Sequence, residues 1–492
     1  LFRSLNVDKK IVIKELAGEE VVYAPYNYRQ EINTARRLME TCGTIDERGL
    51  TMSAVEKTLS GIENDIGIVL DDIQKEAVYQ AAKNGVTVIT GGPGTGKTTT
   101  INAIIRYFEL EGMELNLAAP TGRAAKRMTE ATGHGAQTIH RLLELSGGVS
   151  DENAGVTARF ERNSTNPLEA DVIIIDEMSM VDQSLMHALM EAVPFGAHLI
   201  LVGDQDQLPS VGAGNVLKDI IKSGRIPVVS LKRIFRQEAG SAIVENAHKI
   251  NKGEPIMLDN KSSDFFYVPR NNVKDIIAEV GELVSRKLPP FVKSAPSEIQ
   301  VLTPMRNGPL GVHEINKELQ QMLNPKTPTK KERELSDGTV IREGDKVMQI
   351  RNNYKLEWCI YSEKGRFRKE EGMGIFNGDM GKVKEIDEYN EEVVILFDDD
   401  KEVRYPYNML DELEPAYAIT IHKSQGSEYP AVIMPILTGP KILMNRNLLY
   451  TAVTRAKNCV VIVGDGYMIG RMIMNNDEQK RYSSLDVRLK EI

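Results

Sequence analysis

The sequence is poor in cysteine and has no long apolar stretch. Its three cysteines, Cys42, Cys359 and Cys459, are far apart and odd in number, so they supply neither a disulfide framework nor a zinc cluster, and we expect a reducing cytoplasm. No apolar run approaches the roughly 20 residues that cross a bilayer, which argues against a membrane protein. The first residues, LFRSLNVDKK, contain neither a methionine nor the apolar core of a signal peptide. We therefore expect the chain to begin inside a longer protein.

The overall charge excludes one simple mode of nucleic-acid binding. A net charge of −9 argues against non-specific adhesion of the whole surface to nucleic acid, although a basic channel on an acidic body stays compatible with it. With 41% hydrophobic and 27% charged residues, the composition is that of a globular protein with a sizeable core. The length of 492 residues suggests about three domains.

The strongest motif is GGPGTGKT, from Gly91 to Thr98. A β-branched run, VTVIT, precedes it and predicts a buried strand, while apolar residues at helical spacing follow it. Strand, glycine loop and helix form the context of a phosphate-binding loop, in which backbone N–H groups and a helix N-terminus face an anion. Lys97 is expected to reach the β- and γ-phosphates of ATP, and Thr98 to place its hydroxyl on Mg²⁺.

Alternating strand and helix patterns surround this loop and predict an α/β fold with parallel sheets. Residues 1–68 read as an N-terminal accessory segment, and residues 69–235 as a first domain with a pin-like hairpin at about 144–169. A second α/β domain is expected over residues 236–340 and 411–492. Short strands with turn signals between them predict a small β-barrel inserted at 341–410.

An acidic pair ends the strand pattern DVIIIDE. Asp176 would hold Mg²⁺ and Glu177 would act as general base toward the attacking water. Such pairs are also common helix N-caps, but the complete phosphate loop upstream favours the catalytic interpretation. Gln207, in GDQDQLPSVGAG, is expected either to accept from that water or to donate to the γ-phosphate. A polar turn is an equally good interpretation of the same residues.

Three further features are weak when taken alone. Gln74 has an amide that matches the N6/N7 edge of adenine, yet it also fits a solvated helix face. The stretch from Thr121 to Leu143 has several arginines and lysines against one acid, which suits a groove that tracks phosphates; a solvated basic face is the alternative. Arg236 and Arg455 are positioned along the chain as arginine fingers, although an isolated arginine is usually a surface charge.

Taken in order, the motifs resemble those of superfamily 1 helicases, and their variants resemble the RecD-like (RecD/TraA) branch of DNA helicases. The motifs that carry the resemblance are Gln74, GGPGTGKT, APTGRAAKRM, QTIHRLL, IIIDEMSMVD, GDQDQLPSVGAG, IFRQ, ITIHKSQGSEYP and LLYTAVTRAK. The resemblance covers roughly Val69 to Gly464. It implies two RecA-like P-loop domains with an SH3-like barrel in the second. The glycine-hairpin pattern of longer members is missing from residues 1–68.

The resemblance also implies roles for individual residues. Catalytic roles fall on Lys97, Glu177, Gln207, Arg236 and Arg455. Metal contacts fall on Thr98 and Asp176. ATP contacts fall on Gln74, Gly92, Pro93, Gly94, Thr95, Gly96, Lys97, Thr98, Thr99, Gly426 and Glu428, with Gln425 in the same coupling segment. DNA contacts fall on Pro120, Thr121, Arg123, Lys126, Thr138, His140, Thr420 and His422.

By this resemblance the expected function is an ATP-dependent DNA helicase that moves 5′ to 3′ and acts in repair or recombination. Its expected partners are single-stranded DNA and duplex junctions, with no membrane involved. Two alternatives stay open. Contacts to phosphate and sugar discriminate poorly between DNA and RNA, so an RNA-directed helicase fits the same motifs. A nucleotide-gated binding switch is the other, although a switch does not need a full hydrolytic set.

Overall fold

The computed structural model describes residues 5, 8–16, 18–45, 49–146, 159–233, 240–362, 367–477 and 481–492. Two parallel sheets and one antiparallel barrel dominate these ranges, which confirms the predicted α/β class with a β insertion. None of the helices in these ranges combines the length and the apolar character that a membrane span requires.

The strands and helices alternate along most of the chain. In chain order the strands are β1 (Val12–Leu16), β2 (Glu19–Tyr23), β3 (Val86–Gly91), β4 (Leu115–Ala119), β5 (Ala136–Thr138), β6 (Leu145–Ser146), β7 (Arg159–Phe160), β8 (Val172–Ile175), β9 (His198–Gly203), β10 (Val228–Leu231), β11 (Phe265–Pro269), β12 (Gln300–Thr303), β13 (Glu332–Glu334), β14 (Val340–Arg342), β15 (Lys346–Gln349), β16 (Asn353–Tyr361), β17 (Arg368–Ile375), β18 (Met380–Asp387), β19 (Glu392–Phe397), β20 (Glu402–Pro406), β21 (Leu413–Pro415), β22 (Ala418–Thr420), β23 (Tyr429–Ile436) and β24 (Ala456–Gly464). The α-helices are α1 (Pro25–Thr44), α2 (Met52–Ile66), α3 (Asp72–Lys83), α4 (Lys97–Leu110), α5 (Gly122–Thr132), α6 (Ile139–Leu142), α7 (Gln183–Ala192), α8 (Val216–Ser223), α9 (Ala242–Lys252), α10 (Val273–Glu282), α11 (Leu288–Val292), α12 (Val312–Leu323), α13 (Arg446–Val453), α14 (Gly466–Met474) and α15 (Leu485–Glu491).

The first sheet has six parallel strands in the order β10–β3–β9–β8–β4–β5. Successive side chains of a strand point to opposite faces, and here both faces are covered by helices. Ile173 and Ile175 therefore pack into one core while Val172 and Ile174 pack into the other, and all four are buried. This two-sided burial explains the continuous β-branched runs in the sequence. It also places the carboxyl ends of β3, β8 and β9 side by side.

The second sheet has five parallel strands in the order β11–β24–β23–β12–β22. Helices α9, α13 and α14 pack on one face through Ile243, Leu448 and Ile469. Helices α10 and α12 pack on the other through Ile276 and Ile315. The chain enters this sheet at β11 and returns to it after the barrel, as the split pattern in the sequence predicts.

An antiparallel barrel interrupts the second domain, with strands in the order β17–β16–β20–β19–β18–β15–β21. A buried carboxylate, that of Asp345, fixes this barrel to the second domain. It accepts hydrogen bonds from Gln320 Nε2 at 2.5 Å, Asn324 Nδ2 at 2.6 Å and Tyr417 Oη at 2.9 Å. Because a buried carboxylate needs several donors, these bonds couple the barrel to α12 and to the segment before β22.

Only the base of the predicted pin lies within the described residues. Strands β6 and β7 pair antiparallel there, with Leu145 opposite Phe160 and Ser146 opposite Arg159. The middle of the expected hairpin, residues 147–158, falls outside the described part of the chain.

The separation between accessory segment and first domain is not seen. Helix α1 buries Ala35 and Leu38 in the core beneath α7, and α2 buries Val55 and Leu59 in the opposite core. Both helices thus form part of the first domain's packing. The local sequence gave no sign of this, because an amphipathic helix does not specify which sheet covers its apolar face.

The assignment of residues 411–492 to the second domain is wrong at its end. Helix α15 returns to the first domain, where Leu485 and Leu489 are fully buried in the same core as Leu38. The hydroxyl of Tyr23 donates to Ser484 Oγ at 2.6 Å, and Lys222 of α8 pairs with Asp486 at 2.8 Å. The second domain and the barrel are therefore inserted between two parts of the first domain.

Replacing Leu489 by alanine should lower the free energy of unfolding by about 2–5 kcal/mol, because it leaves a cavity in a filled core. Urea unfolding, followed by far-UV circular dichroism, measures the change in the free energy of unfolding. Ile492→Ala is the matched control, since Ile492 is 54% exposed. Equal stability of the two variants would contradict the placement of α15 in the first core.

Candidate active site

The phosphate loop runs from Gly91 to Thr98 between β3 and α4. Gly94 and Gly96 have φ values of 73° and 81°, a left-handed conformation that side chains other than glycine rarely adopt. A Cβ atom on Gly91 would lie 2.6 Å from Thr95 Oγ1, so the loop also requires glycine there. Lys97 Nζ donates to Gly91 O at 2.6 Å and to Gly92 O at 3.0 Å. The ammonium group is thereby held across the loop, where an anion would meet it.

Gln74 contacts this loop through its amide. It is the third residue of α3 and forms a capping box with Asp71, in which Gln74 Oε1 accepts from Asp71 N at 3.0 Å. Its Nε2 donates to Gly96 O at 3.4 Å. The capping box was readable in the sequence as Asp71 followed three residues later by Gln74. A role toward adenine stays a prediction.

The acidic pair lies at the end of β8. Glu177 has a φ of 55°, and its N–H donates to Asp176 Oδ1 at 2.8 Å. Burial, and then the charge of Glu177, raise the pKa of Asp176. Burial would also raise the pKa of Glu177, but the charges of Arg127, Arg455 and Lys97 outweigh it and hold that pKa below its usual value. The two carboxylates are thus driven apart in acidity, as in an acid–base pair.

Arg127 is the cation that the sequence interpretation misplaced. It lies in the basic stretch from Thr121 to Leu143 that suits a groove for phosphates, yet its guanidinium contacts Glu177 Oε1 at 2.7 Å and Glu428 Oε1 at 3.2 Å. It therefore joins the acidic pair of the first domain to the second domain. Helical spacing indicates this inward position, because Arg127 follows buried Ala124 by three residues and so lies on the same, inward face of α5.

A second buried acid follows β9. Asp204 Oδ2 accepts from Gln207 Nε2 at 3.2 Å and from Tyr450 Oη of the second domain at 2.8 Å. Gln207 is buried, and its Oε1 has no hydrogen-bond partner among the described residues. The next residue, Leu208, is held from the second domain, with its N–H on Thr451 Oγ1 at 3.0 Å and its carbonyl accepting from Gln425 Nε2 at 2.8 Å.

Arg455 is almost fully buried, at 3% exposure. Its guanidinium donates to Thr451 O and Ser427 O, both at 3.3 Å, and to Thr454 Oγ1 at 3.4 Å. These long bonds hold a charge close enough to influence Glu177. The other predicted finger, Arg236, lies outside the described residues.

Gly426 packs directly on the first domain. It has a φ of 71°, and a Cβ there would lie 2.8 Å from Thr121 Oγ1 and 3.3 Å from Ala124 Cβ. Only glycine permits this approach. The predicted ATP-contact segment, which includes Glu428, is therefore pressed against the start of α5.

The predicted DNA-contact residues are divided between structural and exposed positions. The hydroxyls of Thr121, Thr138 and Thr420 accept from the backbone of Ala124, Arg141 and Lys423, so each caps a helix or helical turn. Such capping fixes the local backbone and leaves the donor hydrogen available. Lys126 is exposed, while Pro120 is partly buried.

Two histidines in this set are shielded from solvent. Burial lowers the pKa of His140 against an opposing effect of Asp182, and the ring of His140 lies 6.1 Å from that of Phe160. Burial, followed by the charge of Arg481, lowers the pKa of His422. Both imidazoles are thus favoured in the neutral form near pH 7.

Arg123 already has partners from the second domain and the barrel. It donates to Ser427 Oγ at 3.2 Å and Tyr429 Oη at 3.1 Å, and pairs with Asp398 at 3.1 Å. A contact between Arg123 and a DNA phosphate stays a prediction, and it would require exchange of the exposed Asp398 partner.

No sequence pattern marks Arg481 as a functional residue. From the segment before α15, it donates to Gly212 O at 2.6 Å and Gly214 O at 2.9 Å, and also to Ser210 O. It thereby fixes the loop that follows Gln207. Its partners are backbone carbonyls far away along the chain, so no local pattern marks them.

Sequence models of three known families match the chain. One, described as an AAA domain, matches residues 69–264. The SH3 domain of ATP-dependent RecD-like DNA helicases matches residues 315–397, and the C-terminal domain of UvrD-like helicases matches residues 415–463. The three matches follow the order of the first sheet, the barrel and the second sheet.

Individual proteins are similar over most of the chain. The ATP-dependent RecD2 DNA helicase of Deinococcus radiodurans is 34% identical over 445 residues, which are 90% of this chain and 55% of that protein. The RecBCD enzyme subunit RecD of Mycolicibacterium smegmatis is 31% identical over 426 residues, which cover 80% of this chain and 70% of that subunit. A solved structure of two coordinating Pif1 helicases at forked double-stranded DNA is 20% identical, covers 82% of this chain and 94% of that one, and has a TM-score of 0.48. The chain spans about half the length of its Deinococcus relative.

Proposed function

The chain belongs to the family of RecD-like helicases, and we infer that it hydrolyses ATP to move 5′ to 3′ along single-stranded DNA and to separate the duplex ahead of it. The observation that carries this proposal is the set of contacts across the cleft. Arg127 joins Glu177 to Glu428, Asp204 joins Gln207 to Tyr450, and Gly426 packs on α5. Hydrolysis in the first domain is thus coupled to the position of the second.

Each of the hydrolytic residues would have a separate role. The phosphate loop and Lys97 would bind the β- and γ-phosphates. Glu177, whose pKa is held low, would take a proton from the attacking water, and Arg455 would stabilise charge on the transferred phosphoryl group. Gln207 would orient the water or sense the γ-phosphate. Gln74, Pro93, Thr95 and Thr99 would line the remaining nucleotide contacts.

The residues present fit a magnesium ion. Asp176 is a partly buried carboxylate beside a second one. Burial, and then the charge of Glu177, raise the pKa of Asp176, and a divalent cation would offset both effects by stabilising the ionised form. Thr98 offers an exposed hydroxyl at the start of α4, and oxygen ligands are those that Mg²⁺ prefers. When bound, the ion would neutralise phosphate charge.

Movement would follow from the inserted arrangement of the second domain. Binding of ATP would draw the domains together, and hydrolysis would let them part, so that the DNA-facing surfaces of α5 and β22 alternate their grip. We expect action on single strands and duplex junctions during DNA repair or recombination in the cytoplasm. The RecD and RecD2 names of the relatives, together with the barrel match, support this proposal.

Two assays on the unmodified protein test the proposal. The first compares ATP turnover with matched single-stranded DNA and RNA oligomers. The second measures unwinding of partial duplexes that carry either a 5′ or a 3′ single-stranded tail. We expect stimulation by DNA and unwinding from the 5′ tail. Stimulation by RNA alone would indicate the RNA-directed helicase, and slow turnover that neither oligomer accelerates would indicate a nucleotide-gated switch.

Replacing Arg127 by glutamine should shift the acid limb of the turnover profile to higher pH. A general base works in its deprotonated form, and Arg127 lowers the pKa of Glu177, so its loss raises that pKa. Protonation, and with it the loss of turnover, then begins at a higher pH than in the parent. The profile of kcat against pH between about pH 5 and 9 measures the shift.

The control for this prediction is Arg351→Gln. Arg351 pairs with Asp411 on the barrel and is 59% exposed, so the same change removes an ion pair away from the cleft. An unchanged acid limb in Arg127→Gln would show that Arg127 does not set the acidity of the base.

A further inference from the structure

One carboxylate oxygen joins the two domains beside the phosphate loop. Asp204 is buried, at 1% exposure, and its Oδ2 accepts both from Gln207 Nε2 at 3.2 Å and from Tyr450 Oη at 2.8 Å. Its Oδ1 accepts from the N–H of Asp206 at 3.0 Å. Gln207 and Asp204 belong to the first domain, whereas Tyr450 lies on α13 of the second. The oxygen therefore connects a residue of each domain.

This contact fixes which way the Gln207 amide faces. A carboxylate only accepts, so the NH₂ group must face Asp204 and the carbonyl oxygen must face away. That oxygen, Gln207 Oε1, is buried without a partner among the described residues, although buried polar atoms are almost always bonded. An unpaired buried acceptor needs a donor, and phosphate oxygens at neutral pH supply none. Water does.

Tyr450 also lies against the phosphate loop. A Cβ atom on Gly92 would be 2.9 Å from Tyr450 Oη, so the hydroxyl and the loop are in direct contact. The ring is buried, at 1% exposure, which leaves the hydroxyl little freedom to turn away from Asp204. Thr451 and Gln425 hold the adjacent Leu208 from the same side. Asn251 of α9 also donates to Asp206 Oδ2 at 2.7 Å, so four residues of the second domain bond to the segment from Asp204 to Leu208.

We propose that Asp204 and Tyr450 are positioning residues, which hold the Gln207 carbonyl oxygen toward the attacking water only while the second domain is in place. This inference rests on the proposed ATP hydrolysis. In that reaction the water oxygen bonds to the terminal phosphorus, the bond to the bridging oxygen breaks, and one water proton passes to Glu177. Gln207 Oε1 accepts a hydrogen bond from the other water hydrogen and takes no proton. Opening the cleft withdraws Tyr450 and releases the amide.

The test compares Tyr450→Phe, Asp204→Asn and the double variant with the parent. At saturating ATP and single-stranded DNA, each single variant should lower kcat about tenfold, equivalent to about 1.4 kcal/mol, with KM for ATP unchanged. The double variant should be no slower than the slower single variant, because both changes break the same chain of bonds. Melting temperatures are recorded for every variant.

Tyr405→Phe is the matched control. It also removes a buried tyrosine hydroxyl, which donates to Gln349 Oε1 at 2.8 Å inside the barrel, and it should change stability without changing kcat. A parental kcat in Tyr450→Phe would overturn the inference, as would a rise in KM for ATP with kcat unchanged, since that result would make the residues ground-state ligands. Additive losses in the double variant would also overturn it. A parent that does not hydrolyse ATP would overturn the proposed function itself, so the two failures are distinguishable.

Discussion

Replacing Lys97 by alanine is expected to reduce ATP turnover at least about a thousandfold, while binding of single-stranded DNA stays close to that of the parent. The ammonium group is held by two carbonyls of the phosphate loop and faces the space that the loop encloses. Phosphoryl transfer depends mainly on charge stabilisation and positioning, so loss of this cation removes a large part of both. The predicted DNA-contact residues lie on other elements.

Single-turnover hydrolysis and fluorescence anisotropy with a labelled oligomer measure the two effects separately. The control is Lys317→Ala, which removes an equivalent exposed charge from α12 in the second domain. Turnover of Lys97→Ala at the parental rate would mean that the nucleotide site is elsewhere. A parallel loss of DNA binding would point to a disrupted fold, which a melting curve detects.

Replacing Arg455 by alanine is expected to lower kcat by about 10³–10⁵, the range seen for arginine fingers. Arg455 influences Glu177 of the first domain electrostatically from the second domain, where backbone and hydroxyl oxygens at 3.3–3.4 Å hold it. Such long bonds can be exchanged for phosphate oxygens at little cost. Arg455→Lys should recover only part of the loss, because an ammonium group lacks the planar fork of a guanidinium.

The control for the finger is Arg471→Ala, an exposed arginine on α14 of the same domain. Rates are measured with saturating DNA and nucleotide, and ATP affinity is measured by titration. If Arg455→Ala lowered affinity for ATP by the same factor but left kcat unchanged, the residue would be a binding group and not a finger.

Local sequence patterns were sufficient for the sheets. The runs VTVIT and VIII are β-branched throughout and mostly apolar, which indicates strands covered on both faces, and both are inner strands of the first sheet. The barrel itself was predicted from short strands and turns, but its strands run from β15 to β21, past the predicted end at residue 410. These elements depend on neighbours close in sequence, so their patterns are legible without the fold.

Packing between segments that are distant in sequence could not be predicted from local patterns. The sequence LDVRLKE predicts at most a short amphipathic helix, and nothing in it indicates that Leu485 and Leu489 return to a core formed by much earlier residues, from Ala35 to Ile226. The same holds for Arg481, whose partners are carbonyls. A backbone oxygen is present at every residue, so its position in space, and not its identity, makes it a partner.

For the candidate site, motifs indicated the residue types but not their pairings. Lys97, Asp176, Glu177 and Gln207 lie at the adjacent carboxyl ends of β3, β8 and β9, as their positions after strands predicted. Arg127 was counted by charge in a stretch of basic residues, and charge counting cannot distinguish an inward cation from an outward one. Asp204 and Tyr450 lie in the motifs GDQDQLPSVGAG and LLYTAVTRAK, but neither motif indicates that the two residues are bonded, because their bond forms only when two domains meet.

The return of α15 to the first domain has a mechanical consequence. Tyr23 and Ser484 are bonded to each other, as are Glu31 and the N–H of Ser484, so two segments far apart in sequence form a single rigid body. The second sheet and the barrel lie between these two segments in sequence and are therefore an insertion in that body. A force applied between the segments around Tyr23 and Ser484 would be borne by the first domain alone and would not pull the cleft open. Fluorophores placed there would keep a constant separation. They provide a fixed reference from which the distance to a third label on α14 reports each movement of the second domain.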